Sequence, residues 1–371
     1  MGCTNHVYVI GIGLHPATLM QDTQRLEEMA YGTSHAALAH AGVERRQLDA
    51  LTLGASDELD GRPISNMLMA APAGGYLADE IRVTDSAASA LCLGYARVRA
   101  GDSQLGLVAS WCKSSKTDFQ TIMRLRGEPF YTRPLGIDGT VADALFAQAA
   151  AAAGGISEDE VNRRVAAAYA RARVNPRGLR AAPLSAADIA ASAYEALPVR
   201  VGQQATRSDG AAALVLCSQA FLRANPDCRP LARIRGAGWA TDSYRLQAER
   251  LAGLASARLA FDTALRHAAL AGAGDIDVFE LETPNGWYEA ALARAFGIAD
   301  ERGLSPSGGC FAQNPTFCAG LVNAVEAVLQ VSHTAGPTQR DGARIALAHG
   351  GHGLAQQGST VMIFERVEAL Q

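Results

Sequence analysis

The chain contains no run of apolar residues approaching the roughly 20 that a membrane-spanning helix needs. It also begins without the charged and then apolar leader that marks a secreted protein. The seven cysteines are odd in number, scattered and never spaced Cys-x-x-Cys, which argues against a disulfide framework and against a zinc cluster. We therefore expect a cytoplasmic protein with no membrane span, no metal ion and no bound cofactor.

The chain also has no large excess of positive or of negative charge. The formal net charge is −4, and no cluster of lysine and arginine accompanies a row of aromatic residues. Without a basic surface, nucleic acid is not an expected partner. The motif Gly11-Ile12-Gly13 lacks the third glycine of a dinucleotide-binding fingerprint, because Pro16 stands at that position. We interpret the two glycines as part of a turn and not as a phosphate site.

The chain does contain β-rich and helix-rich segments that alternate over 371 residues, which predicts an α/β fold. The stretch His35–Gly42 recurs almost unchanged at His267–Gly274, with seven of eight positions identical. Each copy ends an Ala-rich helical pattern at a glycine and continues through Asp49 or Asp277 into a β-type run. Because the copies lie far beyond any solenoid spacing, we predict one domain that has been duplicated.

The duplication predicts two halves, residues 1–229 and residues 230–371. The first half contains an inserted region at about residues 114–200. It opens with Ser114 to Thr140, which we expect to be an irregular surface excursion, and continues with helical patterns as far as Ser185 to Ala196. Two such halves pack most economically as five layers, αβαβα, in which apolar helices of both halves share the middle layer.

Several short motifs, spread over nearly the whole chain, resemble those of thiolases. They are Val7-Tyr-Val-Ile-Gly-Ile-Gly13, Asn175-Pro176, Ser208-Asp-Gly-Ala-Ala-Ala213, Phe296-Gly297, Ser305-Pro-Ser-Gly-Gly309 and His349-Gly-Gly351. Within that superfamily the chain is most similar to sterol-carrier-protein-type and lipid-transfer thiolase-like proteins. The resemblance implies the thiolase fold with duplicated βαβαβαββ halves, a homodimer formed through the sheet edges of the first halves, and an acyl-CoA or acyl-carrier-protein thioester as substrate.

The usual nucleophile of this superfamily is missing. In thiolases a cysteine occupies the N-terminus of the buried first-half helix, where the helix dipole and nearby amides lower its pKa. Counting back from Ala100-Gly101 assigns that position to Thr84, and no cysteine is there. Cys92 lies further along the same helix, where a thiol usually packs in the core. Thr84 and Ser86 remain as candidate acyl acceptors, although each is a hydroxyl of high pKa without an obvious base.

Two other family positions have changed. The resemblance assigns Glu282 to the position where thiolases carry an asparagine or histidine of the oxyanion site, with Asn285 nearby. A carboxylate repels developing negative charge unless it is protonated, so Glu282 is either a base or not at the chemistry. Asn314 stands where a Gly-His-Pro motif has its histidine. It can donate a hydrogen bond to a thioester carbonyl, but it cannot shuttle a proton.

Acid and base groups remain in the C-terminal glycine-rich turn, where thiolases present their last catalytic group. His349 and His352 are the candidate bases, although paired histidines on such a turn are otherwise ordinary polar loop residues. Tyr288 either lines an acyl channel or packs in the core, and Cys310 or Cys318 could return a thiol to the site. The candidate substrate-binding residues are Ser86, Asn285, Tyr288, Ser307, Gly308, Gly309, Cys310, Cys318, Gly350 and Gly351.

Two functions remain open on the sequence. In the first, the protein is an acyltransferase or aldolase that makes or breaks a carbon-carbon bond next to a thioester, by Claisen or retro-aldol chemistry, without an acyl-cysteine. The resemblance extends to thiolase-like aldolases that work with an OB-fold partner of the DUF35 type. In the second, the chain is a catalytically inactive subunit that supports an active thiolase or ketosynthase.

Overall fold

The computed structural model describes residues 5–61 and 68–368. The strands are β1 Val7–Leu14, β2 Ala50–Gly54, β3 Asp79–Val83, β4 Leu105–Cys112, β5 Tyr194–Ala196, β6 Val199–Arg200, β7 Gly210–Ser218, β8 Ala232–Thr241, β9 Val278–Glu280, β10 Ile345–His352 and β11 Gly358–Glu365. The helices are α1 Leu26–Ala41, α2 Asp57–Asp60, α3 Ala87–Ala100, α4 Phe119–Arg126, α5 Gly139–Gly154, α6 Glu158–Val174, α7 Ala186–Ala191, α8 Gln219–Ala224, α9 Ala248–Gly253, α10 Ala255–Ala268, α11 Gly286–Phe296 and α12 Ala319–Val331.

Nine strands form one sheet in the order β3-β2-β4-β7-β1-β8-β11-β10-β9, and β5 and β6 form a separate short hairpin. In the first half, β2 is parallel to β3 and β4, and β7 is antiparallel to β4 and β1. The second half repeats these pairings, because β10 is parallel to β9 and β11 is antiparallel to β10 and β8. Leu304 makes a single parallel bridge to Phe279 of β9, in the place that β3 has in the first half. The duplicated topology is confirmed.

Helices of both halves share the layer between the two sets of strands. Within that layer α3 and α12 contact each other, and each also contacts strands of both halves. All thirteen residues of α12 are buried, as expected of a helix covered on every side. Outside the strands, α1 packs on β1, β4 and β7, and α10 packs on β8 and β11. The layers therefore follow the order αβαβα. In addition, β1 pairs antiparallel with β8, and this pairing joins the two sets of strands into one sheet.

Close contact between the first strand and the first helix is repeated in the two halves. A Cβ atom added to Gly11 of β1 would lie 2.2 Å from the carbonyl oxygen of Ala37 in α1. One added to Gly236 of β8 would lie 2.2 Å from the carbonyl oxygen of Ala264 in α10. Only glycine allows the helix backbone to approach the strand this closely. These matching contacts define which residues of the two halves are equivalent.

An aspartate performs the same task in each half. The carboxylate of Asp49, just before β2, accepts hydrogen bonds from the amides of residues 104–105 at 2.7 and 2.9 Å. The carboxylate of Asp277, just before β9, accepts hydrogen bonds from the amides of residues 344–345 at 2.8 and 2.9 Å. Each aspartate therefore fixes the start of the neighbouring parallel strand. The predicted equivalence of these two residues agrees with their hydrogen bonds.

The repeated octapeptide, in contrast, does not occupy equivalent positions. The first copy, His35–Gly42, forms the end of α1, and Gly42 is its left-handed cap. In the second copy α10 already ends at Ala268, and Ala269 adopts the left-handed cap conformation instead of a glycine. The prediction that both copies end their helices at the final glycine is therefore wrong for His267–Gly274. An Ala-rich helix matches itself in several registers, and the contacts of Gly11 and Gly236 select a different one.

The inserted region is more ordered than the sequence suggests. The expected irregular excursion from Ser114 to Thr140 contains helix α4, which is capped by the Asp118 side chain through the amide of Thr121. The helical pattern predicted to reach Ala196 ends at Ala191 and is followed by β5. No helix in the described part of the chain is long and apolar enough to cross a membrane.

The glycine contacts lead to a prediction about stability. Gly11→Ala should lower the free energy of unfolding by about 1–3 kcal/mol, because its methyl group would overlap the carbonyl oxygen of Ala37. Gly32→Ala is the matched control, since Gly32 is an exposed position inside α1 with no atom near its added Cβ. The control should raise stability by about 0.5–1 kcal/mol through helix propensity. Urea unfolding midpoints measure both changes, and a shift of the same sign in the two variants would contradict the assignment.

Candidate active site

A pocket of about 440 Å³ lies where the inserted region meets the N-terminus of α3 and the segments that follow β9 and β10. Its lining includes Leu59, Asp85, Ser86, Phe119, Gln120, Met123, Arg126, Thr140, Asp143, Glu195, Gln204, Arg207, Glu282, Tyr288, Asn314, Phe317, Gly351, His352 and Gln356. A cavity of this size with a few convergent polar groups is the usual form of a small-molecule site. Within the described residues, no group of side chains is arranged to hold a metal ion.

The N-terminus of α3 faces this pocket, but Thr84 is not part of it. The helix begins at Ala87, and Ser86 is its cap, with the Ser86 hydroxyl oxygen accepting a hydrogen bond from the Ser89 amide at 3.1 Å. Thr84 is exposed in the bend that follows β3 and does not line the pocket. The expectation that Thr84 stands at the helix tip is therefore wrong, because the helix starts three residues later than counting back from Gly101 suggests. Ser86 lines the pocket, with its hydroxyl engaged in capping.

No cysteine of the described residues lines the pocket. Cys310 and Cys318 are fully buried near the site, and burial raises the pKa of each thiol far above its ordinary value. Cys92, within α3, also has its pKa raised by burial, to about 11. Because the thiolate and not the thiol is the nucleophile, none of these groups is suited to accept an acyl group near neutral pH. Cys310 and Cys318 pack against the site and do not open into it.

Glu282 lines the pocket immediately after β9. One of its carboxyl oxygens accepts a hydrogen bond from the amide of Gly351 at 3.2 Å. Burial raises the pKa of Glu282 to about 8, although amides of Gly351 and Gly320 that donate to the carboxylate act in the opposite direction. The group is therefore mostly protonated at neutral pH. As a carboxylic acid it donates a hydrogen bond or a proton and does not repel an oxyanion.

The two histidines of β10 have different surroundings. His349 is completely buried, stands at the edge of the Phe296 ring, and does not line the pocket. Burial lowers its pKa to about 3, so it is neutral and too weakly basic to accept a proton at physiological pH. His352 lines the pocket, and its Nε2 atom lies 3.7 Å from a carboxyl oxygen of Asp85. Of the two predicted bases, only His352 can reach a ligand in this pocket.

Asn314 lines the pocket from the loop that follows the Pro-Ser-Gly-Gly motif. The backbone N–H of Asn314 donates to the Ser208 hydroxyl oxygen at 3.0 Å, and the side-chain nitrogen of Asn314 donates to the carbonyl oxygen of Ala205 at 3.3 Å. The second hydrogen of that side-chain nitrogen remains for a ligand. The side-chain nitrogen of the neighbouring Gln313 donates to the buried carboxylate of Glu326 in α12 at 3.0 Å, which anchors the loop to that helix.

The glycine-rich loops support the pocket from outside it. Ser307 is buried, and its hydroxyl donates to the carboxyl group of Glu280 at 2.6 Å. A Cβ atom at Gly308 would lie 2.4 Å from the Cα atom of Ala172 in α6, and one at Gly350 would lie 2.3 Å from the Cβ atom of Ala88 in α3. Of the predicted loop residues, Gly351 lines the pocket. The others do not: Ser307, Gly308, Gly309 and Gly350. The motif glycines thus serve close packing next to the site.

Asp143 is the pocket residue that sequence reasoning missed, and it forms a carboxyl-phenol pair with the predicted Tyr288. The Tyr288 hydroxyl donates to Asp143 at 2.7 Å, and both residues line the pocket. Asn285 caps α11 through the amides of Trp287 and Tyr288, and its side-chain nitrogen donates to the other carboxyl oxygen of Asp143 at 3.3 Å. Burial raises the pKa of Asp143 to about 7 and that of Tyr288 well above 10. Asn285 therefore orients the pair without lining the pocket itself.

One sequence signal could have identified Asp143. It is the one charged residue in the sixteen-residue helix α5, which is otherwise dominated by alanine and other apolar side chains. A single carboxyl group on such a helix is either on an exposed stripe or in a functional environment. The tyrosine that holds it is 145 positions further along the chain, so no local pattern connects the two.

The comparisons with known proteins agree with this architecture. Residues 303–366 match the family described as thiolase C-terminal domain-like. A solved structure described as the Ltp2-ChsH2(DUF35) aldolase has a TM-score of 0.79 and 17% identity, and the match covers 99% of each chain. Human mitochondrial 3-ketoacyl-CoA thiolase in complex with CoA has a TM-score of 0.78 and 16% identity, over 99% of this chain and 100% of that one. Comparison with curated proteins gives no match. The predicted thiolase fold is confirmed.

Proposed function

We propose that this thiolase-like protein is an enzyme that cleaves or forms a carbon-carbon bond next to a thioester without an acyl-cysteine. The reaction favoured here is retro-aldol cleavage of a β-hydroxyacyl thioester of CoA or of a carrier protein. One observation carries the proposal. The pocket collects a carboxyl-phenol pair, a protonated carboxylic acid and a neutral histidine, whereas no described cysteine lines it.

Cleavage begins with removal of the proton from the β-hydroxyl group of the substrate. In the proposed step the substrate hydroxyl donates to the Tyr288 oxygen while the Tyr288 proton moves to Asp143. The bond between Cα and Cβ breaks, its electron pair goes to the thioester as an enolate, and Cβ becomes the carbonyl carbon of the leaving aldehyde or ketone. A carboxylate of pKa about 7 is a suitable base at neutral pH, because it is partly ionised there yet accepts a proton readily.

The enolate needs hydrogen-bond donors at its oxygen and an acid at Cα. In the first turn of α3 the amide of Ser89 is taken by the Ser86 hydroxyl, whereas the amides of residues 87 and 88 have no acceptor within the helix and lie at the positive end of its dipole. Asn314 supplies a further N–H group, and together they stabilise the developing oxyanion. Glu282 then gives its proton to Cα and leaves an acyl thioester as product. A carboxylate at this position would repel the developing negative charge, but burial keeps Glu282 protonated, so it acts as an acid.

His349 and His352 are the candidate bases from the sequence, but in this proposal Asp143 is the base and His352 has a different role. Burial lowers the pKa of His352, against the opposing effect of Asp85, so the imidazole is neutral at pH 7 and both donates and accepts hydrogen bonds. We assign it to orienting the thioester carbonyl beside the N-terminus of α3. The same donors and acid would serve a Claisen-type reaction, in which the enolate attacks a second carbonyl carbon.

Two partners belong to the proposal. The aldolase structure above carries a DUF35 partner in its name, and we propose that a DUF35-type OB-fold protein binds this chain as well. We also propose a homodimer through β3, because this strand ends the sheet and has only β2 as a neighbour among the described strands. Free sheet edges are common sites of strand addition between chains.

The proton-transfer assignment predicts the effect of two substitutions on turnover. Tyr288→Phe and Asp143→Asn should each lower kcat by a factor of about 10² or more, because each removes the proton path. KM should change little, since Tyr288→Phe keeps the ring stack on Phe146 at 4.1 Å. The measurement is release of the carbonyl product from a β-hydroxyacyl-CoA, followed by mass spectrometry. The DUF35-type partner is supplied in a parallel series.

Tyr95→Phe is the matched control for these variants. Tyr95 is also buried, but it lies in the C-terminal half of α3 and does not line the pocket. It should turn over at nearly the wild-type rate. Full activity in Tyr288→Phe would contradict the assignment. Absence of turnover in the wild type, with and without the partner, would instead support a catalytically inactive subunit.

The raised pKa values predict a bell-shaped pH dependence of kcat/KM. Asp143, with a pKa of about 7, must be ionised to accept a proton, so activity should fall as the pH drops below 7. Glu282, with a pKa of about 8, must be protonated to donate, so activity should fall as the pH rises above 8. Asp143→Asn should remove the acidic limb from the residual activity, and Glu282→Gln the alkaline limb. Unchanged limbs in both variants would show that other groups titrate.

A further inference from the structure

One group of pocket residues takes no part in the proposed proton transfers. Gln120, Thr140, Glu195 and Gln204 all line the pocket on the side of the inserted region. We infer that they form a ligand subsite, centred on the Glu195 carboxylate, that selects a hydroxyl or amide N–H group of the bound thioester. This inference rests on the proposed function, because it concerns the ligand of the same pocket.

The Glu195 carboxylate is held in place by neutral donors. The Thr140 hydroxyl donates to one of its oxygens at 3.2 Å, and the Gln204 side-chain nitrogen donates to the other at 3.1 Å. The Gln120 side-chain nitrogen in turn donates to the Thr140 oxygen at 2.9 Å, which directs the Thr140 proton toward Glu195. The four side chains therefore form one hydrogen-bonded row from Gln120 to Gln204, in which both neighbours of Glu195 donate to its carboxylate.

This row has a fixed position relative to the carboxyl-phenol pair. The backbone of Gln204 forms an antiparallel bridge with Asn285, and Asn285 is the residue that holds Asp143. At the other end of the row, the Gly139 amide donates to the Gln120 side-chain oxygen at 3.1 Å. A ligand that contacts Glu195 would thus be aligned with the proton-transfer groups. Such alignment is what substrate-positioning residues provide.

The chemistry of the carboxylate determines what it binds. A carboxylate has about four acceptor positions and no donor, and two of the positions on Glu195 are occupied by Thr140 and Gln204. Among the hydrogen bonds and ion pairs of the described residues, Glu195 receives neutral donors and no cation. A purely hydrocarbon group against it would remove water without replacing its hydrogen bonds, which is unfavourable. A ligand O–H or N–H group fills the remaining positions.

Two parts of a thioester could supply that donor. The pantetheine arm, common to CoA and carrier-protein thioesters, has amide N–H groups, and the acyl group can carry a hydroxyl. Isothermal titration of the full-length protein with CoA, butyryl-CoA and 4-hydroxybutyryl-CoA separates the two sources. The variants are Glu195→Gln and Glu195→Ala, with Glu249→Gln as the control, because Glu249 is exposed on α9 and does not line the pocket. Thermal unfolding checks that the variants fold.

Because Glu195 is exposed in the unliganded protein, loss of the carboxylate should weaken binding by roughly three- to tenfold, as expected for a solvent-screened hydrogen bond. If the donor is pantetheine, all three ligands lose affinity in both Glu195 variants. If it is an acyl hydroxyl, only 4-hydroxybutyryl-CoA does. Equal Kd values in wild type and both variants would overturn the subsite and leave the proposed function standing. Failure of the wild type to bind any of the three, or an acyl-carrier-protein thioester, with and without the DUF35-type partner, would overturn both.

Discussion

The hydrogen bond from the Tyr288 hydroxyl to Asp143 connects the inserted region of the first half to α11 of the second, and the pocket depends on it. Asp143 comes from an Ala-rich helix and Tyr288 from the first turn of a buried one, so the pair exists only after both halves have packed. The stack of Tyr288 on Phe146 and the two hydrogen bonds that reach Asp143 leave the pair little freedom. In a buried environment this bond is strong, and ionisation of either partner is costly.

The same burial gives the other pocket groups their protonation states. Glu282 borders the pocket and accepts from backbone amides, but desolvation raises its pKa to about 8 and keeps it a carboxylic acid at neutral pH. A neutral carboxylic acid can donate a hydrogen bond to a developing oxyanion, which a carboxylate cannot do. Burial has the opposite consequence for Cys310 and Cys318, because it suppresses their thiolates and leaves them as packing groups. In the proposed function, a pocket that no described cysteine lines therefore works with an acid and a base instead.

The fold could be predicted from sequence because its signals are local, whereas much of the site could not. The alternation of segments and the equivalence of Asp49 and Asp277 appear in short stretches of sequence, whereas counting back from Gly101 puts the start of α3 at Thr84 and it lies at Ser86. The octapeptide match was in the wrong register, because alanine repeats carry little positional information. Choosing between His349 and His352 requires knowing which side of β10 faces the pocket, and joining Asp143 to Tyr288 requires a contact between distant segments.

The central claim is that the pocket forms a thioester enolate without acylating the protein. The most direct test incubates the wild-type protein with an acyl-CoA in deuterium oxide, with its DUF35-type partner added in a second series, and analyses ligand and protein together by mass spectrometry. Deuterium should enter at Cα of the acyl group, Glu282→Gln should greatly slow this exchange, and the protein mass should stay unchanged. An acylated cysteine, or no exchange in either series, would contradict it.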